Sequence, residues 1–514
     1  MFRAENSKSF DRTASDALFR RRFLGDLGAR RRAVRKTAIA FLLTSCLACT
    51  QGPNYVRPEV GVPETFRFAK HPVVPADAAV SPEWWLGFGD PELDKLIREC
   101  LDNNRDLQVA TARVDEYAAI VVGTRSQAFP QIGYSAEGVR QRATERGNIP
   151  NLPNSDPYSS SFNSLLSATW EIDLWGRIKR ETEAARANLF ATEEARRGVA
   201  MTLIASTISG YVTLLDLDSR LRTAEATLES RKTSVAIFQL RLDGGIISDF
   251  EMAQILAEYE AAAVTVPDLR RQVAQQENAL SVLVGRNPGH INRGRRLSEL
   301  AMPPVPSGLP AELLTRRPDI MEAEQRLVAS NALIGAARAL YFPRISLTGV
   351  AGFASAALGD LFTGPARTWS FIGDIAGPIY TGGGIASANA QAEARRDQAL
   401  ASYQGVIQDA FRDVEDSLVQ LQATREQEQS LQRSVIILRR ALGLAIERYD
   451  NGYSDFLDVL DTERSLFNAE LNLTAARGAE YRALVDLYLA LGGGWAGTAP
   501  DASDAGGSGS GIQP

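Results

Sequence analysis

The sequence predicts an α+β protein built from an internal duplication, in which four strands of bilayer-crossing length alternate with helices too long for a globular core. Repetition is the first observation behind this. Phe129-Pro130-Gln131-Ile132-Gly133 returns as Phe342-Pro343-Arg344-Ile345-Ser346, an offset of 342 − 129 = 213, and Asp106, Ala110, Arg113 and Ala119 fall on Asp319, Ala323, Arg326 and Ala332 at the same offset. Further on, Arg241-Leu242-Asp243-Gly244-Gly245 with Ser248-Asp249-Phe250 matches Arg448-Tyr449-Asp450-Asn451-Gly452 with Ser454-Asp455-Phe456, at offsets of 207 and then 206. Each half therefore reads as helix, Phe-Pro break, two strands, long helix, glycine turn, long helix.

The second observation is helix length. From Ile178 to Asp243 there is no proline and only two glycines, Gly198 and Gly210, in 66 residues rich in Ala, Glu, Arg and Leu, which makes about 100 Å of helix. Ala388 to Asp450 repeats this with Gly405 and Gly443. Neither is expected to carry the continuous apolar run of a membrane span, so both must pack lengthwise against partners. Gly244-Gly245 and Asn451-Gly452 supply the turns that reverse the chain. Helices then resume from about Phe250 to Val284, with a kink expected at Pro267, and from Phe456 to Leu491.

The third observation is a change of period. Phe162, Ser164, Leu166, Ala168, Trp170 and Ile172 alternate with Asn163, Leu165, Ser167, Thr169 and Glu171, the period of two that gives a strand one apolar and one mostly polar face. Ile132 to Glu137, Ile345 to Ala354 and Trp369 to Ala376 show weaker versions. In a bilayer such a sheet can have no open edge, and four strands cannot close into a barrel that needs about eight or more. If the strands cross a membrane, the barrel is shared between copies of the chain, and three copies give twelve strands. The other reading is a soluble sheet in each half.

The amino terminus differs from the rest. Residues 1–48 hold eleven Arg and Lys against four Asp and Glu, a charge of +7, which leaves 45 basic and 58 acidic residues, or −13, for the remainder. A basic stretch ending in Arg35-Lys36 and followed by Thr37 to Ser45 reads as an export signal with an apolar core too short to span a bilayer. Arg20-Arg21-Arg22-Phe23-Leu24 looks like a twin-arginine motif, with a plain Sec-type leader as the other reading. Cys46 and Cys49 at the end of the leader read as a lipidation box rather than a redox pair, because no core surrounds them. Leu43-Thr44-Ser45-Cys46 and Cys46-Leu47-Ala48-Cys49 both fit. Cys100 stands alone in a helix and reads as a small packed hydrophobe.

Catalytic chemistry has little footing. There is no phosphate-binding loop, Gly382-Gly383-Gly384 lacks the lysine, and His71 and His290 lie far apart in linkers, which argues against a histidine-rich metal site or a triad. Fifty arginines against six lysines suggest nucleic acid, but the net charge of −6 and the export signal argue against it. No enzyme, cofactor or metal site is expected. The organisation expected is a leader over 1–48, an extended arm over 49–89, a first repeat over 90–286 with strands near 131–144 and 161–174, and a linker over 287–311. A second repeat over 312–493 follows, with strands near 345–355 and 368–376, then a disordered tail over 494–514.

Several motifs in order carry a resemblance. They are Cys49-Thr50-Gln51-Gly52-Pro53-Asn54-Tyr55 with Pro58, then Trp84-Trp85 with Phe88, Asp90-Pro91 and Leu93, then Asn104 with Asp106-Leu107, and the two Phe-Pro breaks. Trp170 to Arg177, Arg316-Arg317-Pro318-Asp319-Ile320 and Tyr380 with Gly382-Gly383 complete the set. Over residues 49 to 493 the chain resembles the TolC-like outer-membrane factors of tripartite efflux pumps, in their OprM and NodT-type lipoprotein branch. The resemblance favours Cys49 over Cys46 as the acylated residue. It implies a homotrimer with a twelve-stranded β-barrel in the outer membrane, continued by a long α-helical coiled-coil barrel in the periplasm. It also implies a periplasmic adaptor (membrane fusion) protein and an inner-membrane RND-type transporter as partners, and passive conduction of small toxic compounds out of the cell. An outer channel for type I protein secretion shares the architecture, and a periplasmic scaffold without a pore is the alternative of another class.

The same resemblance places a gate at the periplasmic helix tips. Asp458 and Asp461 become an acidic ring, two carboxylates repeated by a threefold axis into six that would bind cations, and Tyr449 becomes part of the constriction. Ser454 stands where some members carry an arginine that ties the gate. Reading the sequence match at offset 206, Met252 and Ile255 occupy the places of Asp458 and Asp461 in the first half. With Gly244, Gly245 and Gly452 they are candidates for adaptor docking, ordinary helix packing being the alternative for the two apolar side chains.

Overall fold

The structure is a computed structural model describing residues 50–68, 83–144, 156–304 and 310–493. The leader, Cys46, Cys49, His71 and the tail lie outside the described residues. In chain order the elements are α1 (Pro91–Asn103), α2 (Arg105–Ser126), β1 (Gln131–Arg142), β2 (Tyr158–Ile172), α3 (Arg177–Asp243) and α4 (Asp249–Leu283). There follow α5 (Pro310–Arg316), α6 (Pro318–Ala339), β3 (Arg344–Ser355), β4 (Arg367–Ala376), α7 (Gly384–Asp450) and α8 (Phe456–Ala490). Helices α3 and α7 are each 67 residues long, and α4 runs unbroken through Pro267. Two compact units result among the described residues, and each draws on both repeats: residues 50–55 with those of 122–184 and 331–394 in one, the other described residues in the second.

The first unit holds one antiparallel sheet in the order β1-β2-β3-β4. Residues directly opposite each other in antiparallel strands share a face, so the register sorts the side chains. Ile132 pairs with Ala168 and Tyr134 with Leu166, Trp170 with Leu347 and Ile172 with Ile345, and Ile345 with Ile375, Gly349 with Phe371 and Ala351 with Trp369. These apolar side chains line one face. Glu137, Asn163, Thr169, Glu171, Ser346, Thr348, Thr368 and Asp374 alternate with them onto the other. Tyr134, Trp369, Phe371 and Ile375 are all largely exposed on the apolar face, which the described residues leave uncovered.

The start of the arm is fastened in this same unit. Gln51 N donates to Trp175 O at 3.1 Å, and Arg180 donates to Gln51 O, Gly52 O and Asn54 Oδ1 at 3.0, 3.2 and 2.9 Å. Gly52 (φ +87°) lies so close to Gly335 that a Cβ on it would sit 2.4 Å from the Gly335 Cα. Two glycines are needed where the strap crosses α6.

The second unit is helical, and its joints are duplicated. Asn104 Nδ2 donates to Leu283 O at 2.8 Å, while Arg317 Nη1 donates to Ala490 O at 3.0 Å. Each side chain thus satisfies a free carbonyl at the end of a returning helix, α4 or α8. Asp90 is fully buried, and it caps α1 by accepting from Glu92 N while also accepting from Tyr211 Oη and Arg295 N at 2.9, 2.9 and 3.0 Å. Burial pushes the Tyr211 hydroxyl pKa well up. The stripe of α1 that enters the core is Leu93, Leu96, Ile97 and Cys100. Cys100 completes the stripe while Leu101 is only half-buried, because i+3 and i+4 lie on one face of a helix. The Cys100 Sγ sits 3.3 Å from Leu283 O, and burial raises its thiol pKa.

One expectation is corrected. Within α3 an 18-residue window is long and apolar enough to cross a membrane by length and composition, and 56% of it is buried inside the protein. Ile208, Tyr211, Val212, Leu214 and Leu215 account for this as fully or nearly fully buried core residues of the helical unit.

Candidate functional site

The candidate gate is built from two equivalent turns in the helical unit. After α3, Gly245 N donates to Leu242 O and Ile246 N to Arg241 O; after α7, Gly452 N donates to Tyr449 O and Tyr453 N to Arg448 O. This paired pattern closes a helix on a left-handed residue, and Gly245 and Gly452 supply it at φ +72° and +73°. The following helices begin differently. Ser248 and Glu251 form a capping box on α4, whereas Asp455 at the start of α8 makes no side-chain cap bond. Two hydrogen bonds from Ser248, one from its backbone N and one from its hydroxyl, hold the Glu251 carboxyl below its ordinary pKa.

These starts change the correspondence between the halves. Helices α4 and α8 begin at 249 and 456 and end at 283 and 490, an offset of 207 at both ends. The counterpart of Asp458 is therefore Glu251, and that of Asp461 is Gln254, not Met252 and Ile255. The match at offset 206 fails because the N-cap position of Ser248 is taken in the second half by Asp455, one residue beyond Ser454. The Ser454 hydroxyl is left buried without a hydrogen-bond partner.

Met252 and Ile255 are buried, at 4% and 3% exposure, in a cluster with Phe238 and Leu460, with Val235, Leu242, Ile247, Tyr449 and Phe456 against it. Ordinary packing accounts for both. What the turns expose instead is Ile246, Phe250, Tyr453 and Leu457. Asp458 and Asp461 are exposed and line a cleft of about 400 Å³ with Gln254, Ala257, Glu258, Leu457, Leu460 and Arg464. Arg464 pairs with Asp461 and lies 3.8 Å from Glu258. Above the cleft, buried Arg231 pairs with Glu258 at 3.1 Å.

Tyr449 stands among aromatic rings. Its centroid lies 5.0 Å from Phe456 and 6.3 Å from Phe238. Arg241 Nη1 donates to Tyr449 Oη at 3.0 Å, and its guanidinium carbon lies 5.0 Å from the Phe238 ring centre and 5.8 Å from that of Tyr449. This clasp between the two hairpins is not foreseen from sequence. Its one signal is that Arg241 and Arg448 are duplicated while Tyr449 faces Leu242 in the other copy, so only one of the arginines has a ring to meet. Among the described residues no group of three or more His, Cys, Asp or Glu is placed to hold a metal ion.

A family model for outer membrane efflux proteins matches residues 96–286 and 309–493. The chain belongs to this family. The efflux-protein assignment is supported by a relative described as the probable efflux pump outer membrane protein TtgC of Pseudomonas putida, 35% identical over 460 residues, covering 89% of this chain and 94% of that one. The probable outer membrane lipoprotein SilC of Salmonella typhimurium is 34% identical over 464 residues, covering 88% and 97%. Among solved structures, the MtrE outer membrane channel of Neisseria gonorrhoeae in its open state superposes with a TM-score of 0.78 at 33% identity, covering 87% of this chain and 98% of that one. This efflux protein is accordingly an outer-membrane channel, with the sheet as its membrane part.

Proposed function

We propose that three copies of this chain form the exit duct of a tripartite efflux system. The observation that carries this is the register of the sheet, which puts every aromatic side chain and most aliphatic ones on one face and the carboxylates and most hydroxyls on the other. A sheet sorted in this way fits a wall with lipid on one side and water on the other. The outer edges of β1 and β4 pair with no other strand among the described residues, and hydrocarbon does not tolerate such edges. Pairing β4 of one copy with β1 of the next closes a ring of twelve strands. The long helices then line the periplasmic continuation, to which an adaptor and an inner-membrane RND-type transporter deliver small toxic compounds. The description of TtgC as an efflux pump protein supports efflux over protein secretion, and that of SilC as a lipoprotein supports acylation of Cys49.

In this reading Asp458, Asp461 and Tyr449 form the periplasmic constriction, with Arg241 holding Tyr449. The turns at Gly244, Gly245 and Gly452, with exposed Ile246, Phe250, Tyr453 and Leu457, are the surface offered to the adaptor. No catalytic step is needed, since conduction is driven elsewhere. The test is planar-bilayer conductance of the purified channel. Asp458→Ala combined with Asp461→Ala should raise the resting conductance and abolish block by divalent cations. Traces indistinguishable from the wild type would remove the acidic pair from the gate.

A further inference from the structure

Helices α3 and α7 run from 177 to 243 and from 384 to 450, an offset of 207 at both ends, the same as for α4 and α8. Every position of the first hairpin, α3 with α4, therefore has a counterpart in the second, α7 with α8. Within the chain α8 seats on the first hairpin. Leu460 packs with Phe238, Met252 and Ile255, Phe467 packs with Leu217, Ala224, Val266 and Leu269, and Arg482 donates to Thr213 Oγ1 at 3.3 Å. The counterpart of α8 is α4, and among the described elements no hairpin of this length precedes it to be its seat. Its seating face is bare. Leu256 and Val264, the counterparts of Glu463 and Leu471, are 42% and 70% exposed, and Ala253 is exposed where its counterpart Leu460 is buried. A receiving face on the second hairpin is bare to match: Leu431, Leu438 and Ala445 of α7 are half-buried, whereas their counterparts Ala224, Arg231 and Phe238 are buried.

The two faces differ from the seat within the chain in charge. Three ionic contacts cross that seat: the charge of Arg231 acts on Glu463, Arg464 lies 3.8 Å from Glu258, and the charge of Arg482 acts on the buried Asp216. Their counterparts are Leu256 with Leu438, Ala257 with Ser465, and Gln275 with Ala423. None of these is charged. The charges that α4 does carry on this face are Glu260 and Arg271, at the places of Phe467 and Gly478, and Arg271 is paired along its own helix with Asp268. A contact between two different faces repeats head to tail and closes into a ring, and burying exposed leucine and valine stabilises it. Resting on the reading of three copies as one duct, we infer that the α4 face of Ala253, Leu256 and Val264 seats on α7 and α8 of a second copy, as α8 seats on α3 and α4 of its own. Uncharged contacts replace the three ionic ones at this seam.

The test uses the full-length protein purified in detergent, with its oligomeric state measured by light scattering. Leu256→Cys with Leu438→Cys, treated with a short bismaleimide, should give covalent dimers and trimers on denaturing gels, while either single variant stays monomeric. Arg231→Cys with Glu463→Cys, the counterpart pair within one chain, should react without any gain in mass. Trimers of the first double variant that yield no covalent ladder overturn the seat. Leu256→Glu alone should raise the concentration at which trimers dissociate roughly tenfold or more, since it leaves a carboxylate unpaired in an apolar seam. Adding Leu438→Arg, which copies the Glu463 and Arg231 pair into the seam, should recover most of that loss. Dissociation unchanged by Leu256→Glu, or no recovery with Leu438→Arg, overturns the pairing of these two positions. Failure of the duct reading appears separately, as a wild type that is monomeric before any substitution, and that outcome overturns both.

Discussion

Replacing Arg241 by alanine tests whether the two hairpins of one chain are clasped at their tips. The substitution removes the hydrogen bond to Tyr449 Oη at 3.0 Å and the seat of the guanidinium over the Phe238 and Tyr449 rings. A hydrogen bond from a charged donor contributes about 1.5 kcal/mol at the low end, and a half-exposed cation–π contact about 0.5 kcal/mol. The apolar cluster around Phe238 and Leu460 is untouched, so the loss is about 2 kcal/mol. Since about 1.4 kcal/mol is a factor of ten, local opening of the turns should become roughly 30-fold more frequent. Hydrogen exchange of the folded trimer reads this directly in peptides spanning 236–256 and 444–462, with α1 as an unaffected control. Tyr449→Phe keeps the ring and loses only the hydroxyl, so its exchange should rise roughly tenfold. Exchange in Arg241→Ala that superposes on the wild type would refute the clasp.

Three further outcomes are expected. Gly335→Ala brings a Cβ to 2.5 Å from Gln51 O and 2.8 Å from Arg180 Cγ, an overpacking of about 1–3 kcal/mol that should lift the strap and expose the bond after Tyr55 to chymotrypsin; resistance equal to the wild type would contradict it. Cys49→Ser should abolish the covalent lipid seen by intact mass, while Cys46→Ser leaves it, and the reverse pattern would move the acylation to Cys46. Burial pushes the Glu463 carboxyl pKa up, and Arg231 offsets this only in part while Glu258 adds to it. A carboxyl whose native pKa is raised favours folding fully below its ordinary value and loses that contribution as pH rises through the raised one. Thermal unfolding in detergent should therefore show Glu463→Gln gaining on the wild type as pH rises above about 4, and parallel curves would refute the assignment.

The legible parts of this molecule are those fixed by local chemistry. Gly176 and Gly383, Gly245 and Gly452, and Gly285 and Gly492 are each 207 apart and each at positive φ, so the duplication marks the turns wherever only glycine fits. Strand faces were likewise readable from alternation in β2, and the register confirms the sorting in all four strands. Contacts across sequence distance left no such trace. Nothing near Arg241 names Tyr449 as its partner, and nothing near Asp90 names Tyr211. Apolar pattern is also ambiguous about its target, because a core and a docking surface want the same side chains. Met252 and Ile255 illustrate this, and so does the window of α3 that is apolar enough for a membrane yet faces protein.

The difference between the halves is one of use more than of composition. Position N3 of the returning helix is acidic in both, Glu251 in α4 and Asp458 in α8. In the first half the carboxylate is bound to the helix start, accepting from Ser248 N and Ser248 Oγ at 2.7 and 2.9 Å, the reciprocal arrangement that suits a glutamate at N3. In the second half the residue is one methylene shorter, the N-cap Asp455 is itself an acid with no donor to offer from its side chain, and no reciprocal box forms. The Asp458 carboxylate therefore stays in the cleft with Asp461 and Glu258, where Arg464 pairs with Asp461 and Arg231 with Glu258. A serine at 455 with a glutamate at 458 would engage that acid in capping, and the charge at the cleft would fall in each copy while the helix start gained a cap.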